Sequence, residues 1–241
     1  MIKIRVKFRK WGVMKFVGHL DMMRYFQKAV RRAGIDICYS EGFSPHQIMS
    51  FAAPLGVGIT SDGEYFDIEV NETMDSASAI MAFNNTMVDG VEVTGYVQLP
   101  EHAKTAMAIV AAADYTLSYK AGYQVPLSME EAQNLIEEEF HQMPEFLITK
   151  KTKMSERIVD LKPLVYELSV REENHSPVFL MKVSTGSIDN IKPELVLASL
   201  YEKRGIVYDE NAIQIHRVEV YTKDESGTFI SLLDMGDVIE S

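Results

Sequence analysis

The sequence predicts an α+β fold of two ferredoxin-like halves. Each half is a βαββαβ unit with an antiparallel sheet and its helices on one face. Three observations lead there. Residues 2–9 alternate Ile2, Ile4, Val6 and Phe8 with Lys3, Arg5, Lys7 and Arg9, the period of a half-buried strand. Residues 21–33 place Met22, Met23, Phe26, Ala29, Val30 and Ala33 at helical spacing, and Gly34 follows as a left-handed stop. The same succession of elements then recurs, more loosely, in the second half of the chain.

After the first helix, residues 35–39 and 47–52 read as strands around a turn at 41–45. Residues 64–70 alternate as a further strand. Residues 76–87 are helical, and 90–98 form a strand after the turn at Asp89 and Gly90. In the second half, residues 114–119 are a strand, and Ser128 caps a helix running to about residue 142, with Glu131 completing a capping box. Residues 145–151 and 157–160 read as a hairpin with a basic tip at 149–153. Strands follow at 164–171 and 178–184, then a helix at 193–203 with Pro193 in its first turn and Gly205 beyond its end, then a closing strand at 212–221. The domains expected are a basic one at 1–100, a linker at 101–113 that also reads as a short helix, a second α+β domain at 114–222 and an acidic tail at 223–241 carrying a short hydrophobic turn at 229–233.

Composition restricts the function classes. The chain has 241 residues, 46% hydrophobic and 24% charged, as expected of a water-soluble globular protein. No apolar run approaches the roughly 20 residues that cross a bilayer, and the first strand is no signal peptide, so a cytoplasmic location away from membranes is expected. The single cysteine, Cys38, excludes an internal disulfide, an iron–sulfur cluster and a cysteine-held structural zinc. The six histidines include no HExxH pair, and no Gly-x-Ser-x-Gly elbow occurs. No cofactor, metal site or catalytic residue is assigned.

The net charge of −11 is unevenly spread. Residues 1–60 hold ten Lys or Arg against three Asp or Glu, a net +7; the remaining fourteen cations face thirty-two acids, a net −18. A basic face that meets a polyanion such as RNA, or an acidic protein, is one expectation; a pair of strands and a helix with solvated basic edges is the other.

The candidate binding residues lie mainly in the basic segment. His19 is expected in the loop before the first helix, where outward-pointing amides favour anions. Asp21 opens that helix as its cap, within reach of Arg24 one turn on. Arg31 and Arg32 sit in the last turn, where they complement the helix dipole or take phosphate. Residues 39–67 concentrate the rest. Ser40, Glu41, Phe43, Ser44 and His46 surround Gly42 and Pro45, which impose a turn. We read Phe43 as packed inward, with a stacking platform as the alternative. His46 is poised to donate to a phosphate or act as a base. Ser50 and Glu64 follow; Glu64 and Asp67 occupy opposite faces of their strand. The glycines at 56 and 58 make neither a P-loop nor a dinucleotide fingerprint.

The motifs at 16–24 (FVGHLDMMR), 31–34 (RRAG), 39–46 (YSEGFSPH), 50–58 (SFAAPLGVG) and 63–67 (GEYFD), with a weaker echo at 159–163 (VDLKP), resemble the radical SAM-linked proteins of bacteria. That family is a domain of unknown function found beside, or fused to, a radical SAM protein, and the resemblance covers nearly the whole chain. This sequence departs from the family pattern in Gln47, where a proline is expected and whose absence would loosen the loop, and in Ser44, where asparagine is commoner. The resemblance implies a radical SAM protein as partner and a role for this chain as an accessory or substrate-presenting subunit. The expectation that follows is a module holding RNA through Arg24, Arg31, Arg32, His19 and His46. The alternatives are a protein-binding adaptor without RNA and a metal-independent ribonuclease with His46 as base.

Overall fold

The computed structural model of the protein describes residues 1–151, 156–186 and 189–241. It is a mixed α+β chain whose strands pair mostly antiparallel. In chain order the elements are β1 (Ile2–Lys10), α1 (His19–Arg32), β2 (Met49–Phe51), β3 (Thr60–Val70), α2 (Ser76–Asn84), β4 (Val91–Gln98), α3 (Ala106–Ile109) and β5 (Ala112–Tyr119). These are followed by α4 (Met129–Ile136), β6 (Leu147–Lys151), β7 (Glu156–Asp160), β8 (Val165–Glu173), β9 (Ser176–Ser184), α5 (Pro193–Lys203), β10 (Ile213–Lys223), β11 (Phe229–Ser231) and β12 (Asp237–Val238). They divide into two units: Met1–Ala111 with Arg217–Ser241, and Ala112–His216.

In the first unit β1 lies between β3 and β4, antiparallel to both, and β2 pairs with β3. The alternation of β1 places Ile4, Val6 and Phe8 on the face covered by both helices. α1 contributes Met22, Phe26, Ala29 and Val30, spaced as one helical stripe, and α2 contributes Ala79 and Phe83. Four phenylalanines centre this core. Phe8 and Phe26 lie 4.5 Å apart, Phe26 and Phe66 4.7 Å, and Phe51 stacks on Phe66 at 5.1 Å.

The other face of β1 departs from expectation. Its cations were read as a half-exposed basic row, because alternation alone cannot reveal whether a second face is covered. Here it is. Arg5 is fully buried and grips Asp67 with two nitrogens, at 2.8 and 3.0 Å, and a third reaches the Leu232 carbonyl at 3.0 Å. Lys7 pairs with Glu219 at 2.6 Å, Arg9 with Asp62 at 2.7 Å, and Lys3 donates to the Ala103 carbonyl at 3.2 Å. The charges of Arg5 and Lys7 are therefore spent inside the fold, while the Arg9 pair stays at the surface.

The covering comes from two segments that the sequence reading placed outside the strand-and-helix units. Residues 101–113, read as a linker or a short helix, contain the short helix α3, whose Ala106 is buried and donates its N–H to Asp67 at 2.6 Å. Residues 223–241, read as an acidic tail, contribute β11 on β10 and β12 on β4, with Leu232 buried. Residues 35–39 form only isolated bridges, Ile37 with Val70 and Tyr39 with Gln47. A Cβ at Gly63 would stand 2.7 Å from the Glu219 Cα, so glycine there permits a close backbone approach to β10.

In the second unit β9 lies between β5 and β8, antiparallel to both. Ser128 and Glu131 form the expected capping box at the start of α4, which passes at Glu137–His141 into a single wider π-helical turn. Phe146, Leu117, Phe179, Val196, Leu197 and Leu200 are fully buried. The acidic residues of α4 and its extension were read as a solvated face, and Glu130, Glu131, Glu137 and Glu138 are exposed; on that surface Glu139 accepts from Arg204 at 2.6 Å and Glu138 also pairs with Arg204. β6 and β7 make the expected hairpin, while the basic tip at 149–153 lies from Thr152 onward outside the described residues.

Candidate functional site

The loop at 39–47 is closed by hydrogen bonds at its base. Ser40 N–H donates to the His46 carbonyl at 2.8 Å, and His46 N–H donates to Ser40 Oγ at 3.1 Å. Ser40 Oγ also lies 2.8 Å from His46 Nδ1. Gly42 has φ of +105°, a conformation L side chains rarely adopt, which turns the chain at the tip. Phe43, read as packed inward, points fully into solvent at 111% relative exposure. Glu41, Ser44 and His46 are exposed beside it.

Gln47 follows, and its effect is opposite to that expected from the missing proline. Its side chain is buried and donates to the Gln27 carbonyl of α1 at 3.1 Å, tying the loop to the helix. Arg31 Nε donates to that same carbonyl at 3.3 Å. One oxygen thus holds both the base of the loop and an arginine. Arg24, Lys28 and Arg31, at i, i+4 and i+7, form an exposed stripe along α1, and Arg32 is exposed beside them. Arg24 is paired with Asp21 at 3.3 Å. Lys28 was not among the candidates, although its spacing from Arg24 made it findable. The surface combines an outward aromatic ring, a half-exposed Tyr39, a histidine and a line of cations.

The remaining candidates sit elsewhere. His19, expected in the preceding loop, is the first residue of α1, and Gly18 occupies the cap. Asp21, expected to open the helix, lies in its first turn. The His19 ring meets Phe51 edge-on at 5.4 Å and lines a small pocket with Lys10 and Glu64. Glu64 is buried and accepts from Arg217 Nε at 3.0 Å; Arg217 also donates to the Ala53 carbonyl at 2.7 Å. Ser50 is half-buried in a different pocket, beside Asp67 and Lys104. Lys10, Arg217 and Glu219 escaped the sequence reading. Arg217 lies 153 residues from its partner Glu64, and no local pattern connects them.

Glu219 is the second interior junction. It accepts from Tyr65 Oη at 2.6 Å and from Lys7, and burial together with this carboxylate pushes the Tyr65 phenol above its ordinary value. Lys10 donates to the Val17 carbonyl at 3.3 Å; burial lowers its ammonium below the ordinary 10.5, Glu64 opposes that and Arg217 adds to it. Between the lowered value and 10.5 the unfolded chain holds the Lys10 proton while the folded one releases it. Stability therefore rises with pH in that window. Denaturant titrations on the alkaline side, as pH approaches 10.5, should show this rise in the wild type and a flatter profile in Lys10→Met; equal slopes would contradict the assignment.

Among the described residues no group of three His, Cys, Asp or Glu is arranged to hold a metal ion, and no helix is long and apolar enough to cross a membrane.

Comparison with known proteins places this geometry in context. No curated protein matches the chain. Among solved structures it is similar to a chain of a Cbf5–Nop10–Gar1 complex, with 11% identity and a TM-score of 0.48, covering 92% of this chain and 51% of that one. This chain thus spans about half the length of that relative. It is also similar to an unknown protein from Galdieria sulphuraria, with 11% identity, a TM-score of 0.24 and coverage of 90% and 96%. A family described as an uncharacterized protein conserved in bacteria, DUF2344, matches residues 3–193, from the second residue of β1 through the loop at 39–47 to the first residue of α5, and the chain belongs to that family.

Proposed function

We propose that this protein is a non-catalytic accessory subunit of a cytoplasmic radical SAM enzyme, and that it holds single-stranded RNA on α1 and the loop at 39–47. The observation that carries the reading is Phe43: an aromatic ring wholly in solvent, on a loop tied to the carbonyl that also holds Arg31. Such a ring offers a stacking face to a base, and neighbouring cations take the phosphates. The radical SAM partner rests on the motif resemblance. We also propose that both halves are ferredoxin-like; the β4, β1, β3, β2 order of the first unit supports this for that half.

The buried cations limit the interface to a few phosphates. Lys28, Arg31, Arg32 and His46 would neutralise about three or four, so log K against log salt should have a slope of about −2 to −3 for a single strand. Fluorescence anisotropy of a labelled single-stranded RNA across a salt series measures this, and Arg31→Ala should make the slope shallower by about 0.7. Salt-independent binding, or none, would overturn the RNA reading.

The adaptor reading has one observation in its favour. Val13, Phe16, Leu20 and Val57 are large apolar residues more than 60% exposed, the first three grouped in sequence around the start of α1. Capture of the radical SAM partner that survives both ribonuclease and Phe43→Ala would select it. RNA cleavage abolished by His46→Ala would select the ribonuclease.

A further inference from the structure

The second unit contains a cavity of about 300 Å³, within the size range of small-molecule sites. Its walls include Tyr119, Tyr123, Tyr201 and Tyr208, with Asp209 and Gln124 also lining it. Tyr201 and Tyr208 meet at 67° with ring centres 6.3 Å apart, forming a corner of two aromatic walls. The Tyr119 and Tyr201 hydroxyls hydrogen-bond each other, which fixes a third ring.

Acids gather near Tyr208, with Lys120 a nearby cation, its ammonium held by the Asn211 carbonyl at 2.9 Å. Glu194, Glu210 and Asp209 all act on the Tyr208 hydroxyl. Glu194 lies seven residues before Tyr201 on α5, hence on the same helical side. Its Oε2 is buried with no hydrogen-bond partner among the described residues, while Oε1 has Lys192 at 3.8 Å. Glu194 stands outside the cavity lining, so it contributes through its charge on Tyr208, while Asp209 is the carboxylate in the wall itself.

We propose that this cavity is an aromatic cage for a small organic ammonium cation, of the methylated or quaternary class. Ring faces are negative at their centres and attract such cations, and nearby carboxylates add to that attraction. The same carboxylates oppose a phosphorylated ligand. Burial, with the neighbouring acids, raises Tyr208 to about 12, and burial also raises Tyr119 and Tyr201, so the rings stay neutral phenols through the physiological range. The cage lies within residues 112–216 and does not depend on the RNA reading.

The test is calorimetric titration of the full chain with choline and with its neutral isostere, 3,3-dimethylbutan-1-ol. Choline is expected to bind about 10-fold more tightly. Tyr208→Phe, which keeps the ring, should retain binding. Tyr208→Leu and Asp209→Asn should each weaken it several-fold. Phe43→Ala should leave it unchanged. Equal binding of the two probes, a nucleoside monophosphate binding as well as choline, undiminished binding by Tyr208→Leu, or no choline binding to the folded wild type would each overturn the assignment.

Discussion

Replacing Phe43 by alanine is expected to weaken single-stranded RNA binding about 5- to 150-fold, the loss of one stacked base at about 1–3 kcal/mol. Folding stability should not change, because the ring is fully exposed and gives up no packing in the folded protein. The two readouts separate cleanly. Anisotropy reports affinity, and the sole tryptophan, Trp11, lies in the first unit and reports its unfolding. Phe43→Trp should retain binding, since it keeps a stacking face. Unchanged affinity in Phe43→Ala would remove the observation on which the RNA reading stands. A drop in the Trp11 unfolding midpoint would mean the ring does pack.

Asp67→Ala is expected to destabilise the first unit by about 3–5 kcal/mol, measured by Trp11 fluorescence in denaturant. The carboxylate takes two bonds from Arg5 and one from the Ala106 N–H, and Arg5 has no exposure through which water could replace it. Removing the acid leaves a buried guanidinium holding only the Leu232 carbonyl. Replacing both partners, as Arg5→Met with Asp67→Leu, eliminates the stranded charge. It still orphans the Leu232 carbonyl and the Ala106 N–H, so recovery should be incomplete. A loss below about 1 kcal/mol in Asp67→Ala would show that the pair does not hold this face together.

The candidate site was legible in part. Gly42 and Pro45 announce a turn, and Ser40 with His46 proved to close it, because such turn chemistry acts over a few residues. The direction of Phe43 was not legible. A phenylalanine between turn residues is compatible with either side of the loop; the bond from Gln47 to Gln27 and the backbone bonds of Cys38 and Ile48 with Glu69 are long-range contacts that set which side faces the body of the unit. Glu64 drew notice as a carboxylate in a motif-rich stretch, yet its partner is Arg217 and it is buried.

Local rules determined the elements. The helix at Pro193–Lys203 has the limits its proline and following glycine predict, and the capping box at Ser128 begins α4. Both depend on backbone groups within one turn, so adjacent residues suffice to specify them. Tertiary structure alone decided where the charges went. Arg5 meets Asp67 across 62 residues and Lys7 meets Glu219 across 212. Alternation along β1 marks two faces and is silent about what covers the second. The cover comes from α3 and from the last strands of the chain, and an ion pair at that separation exists only once the sheet has brought its ends together.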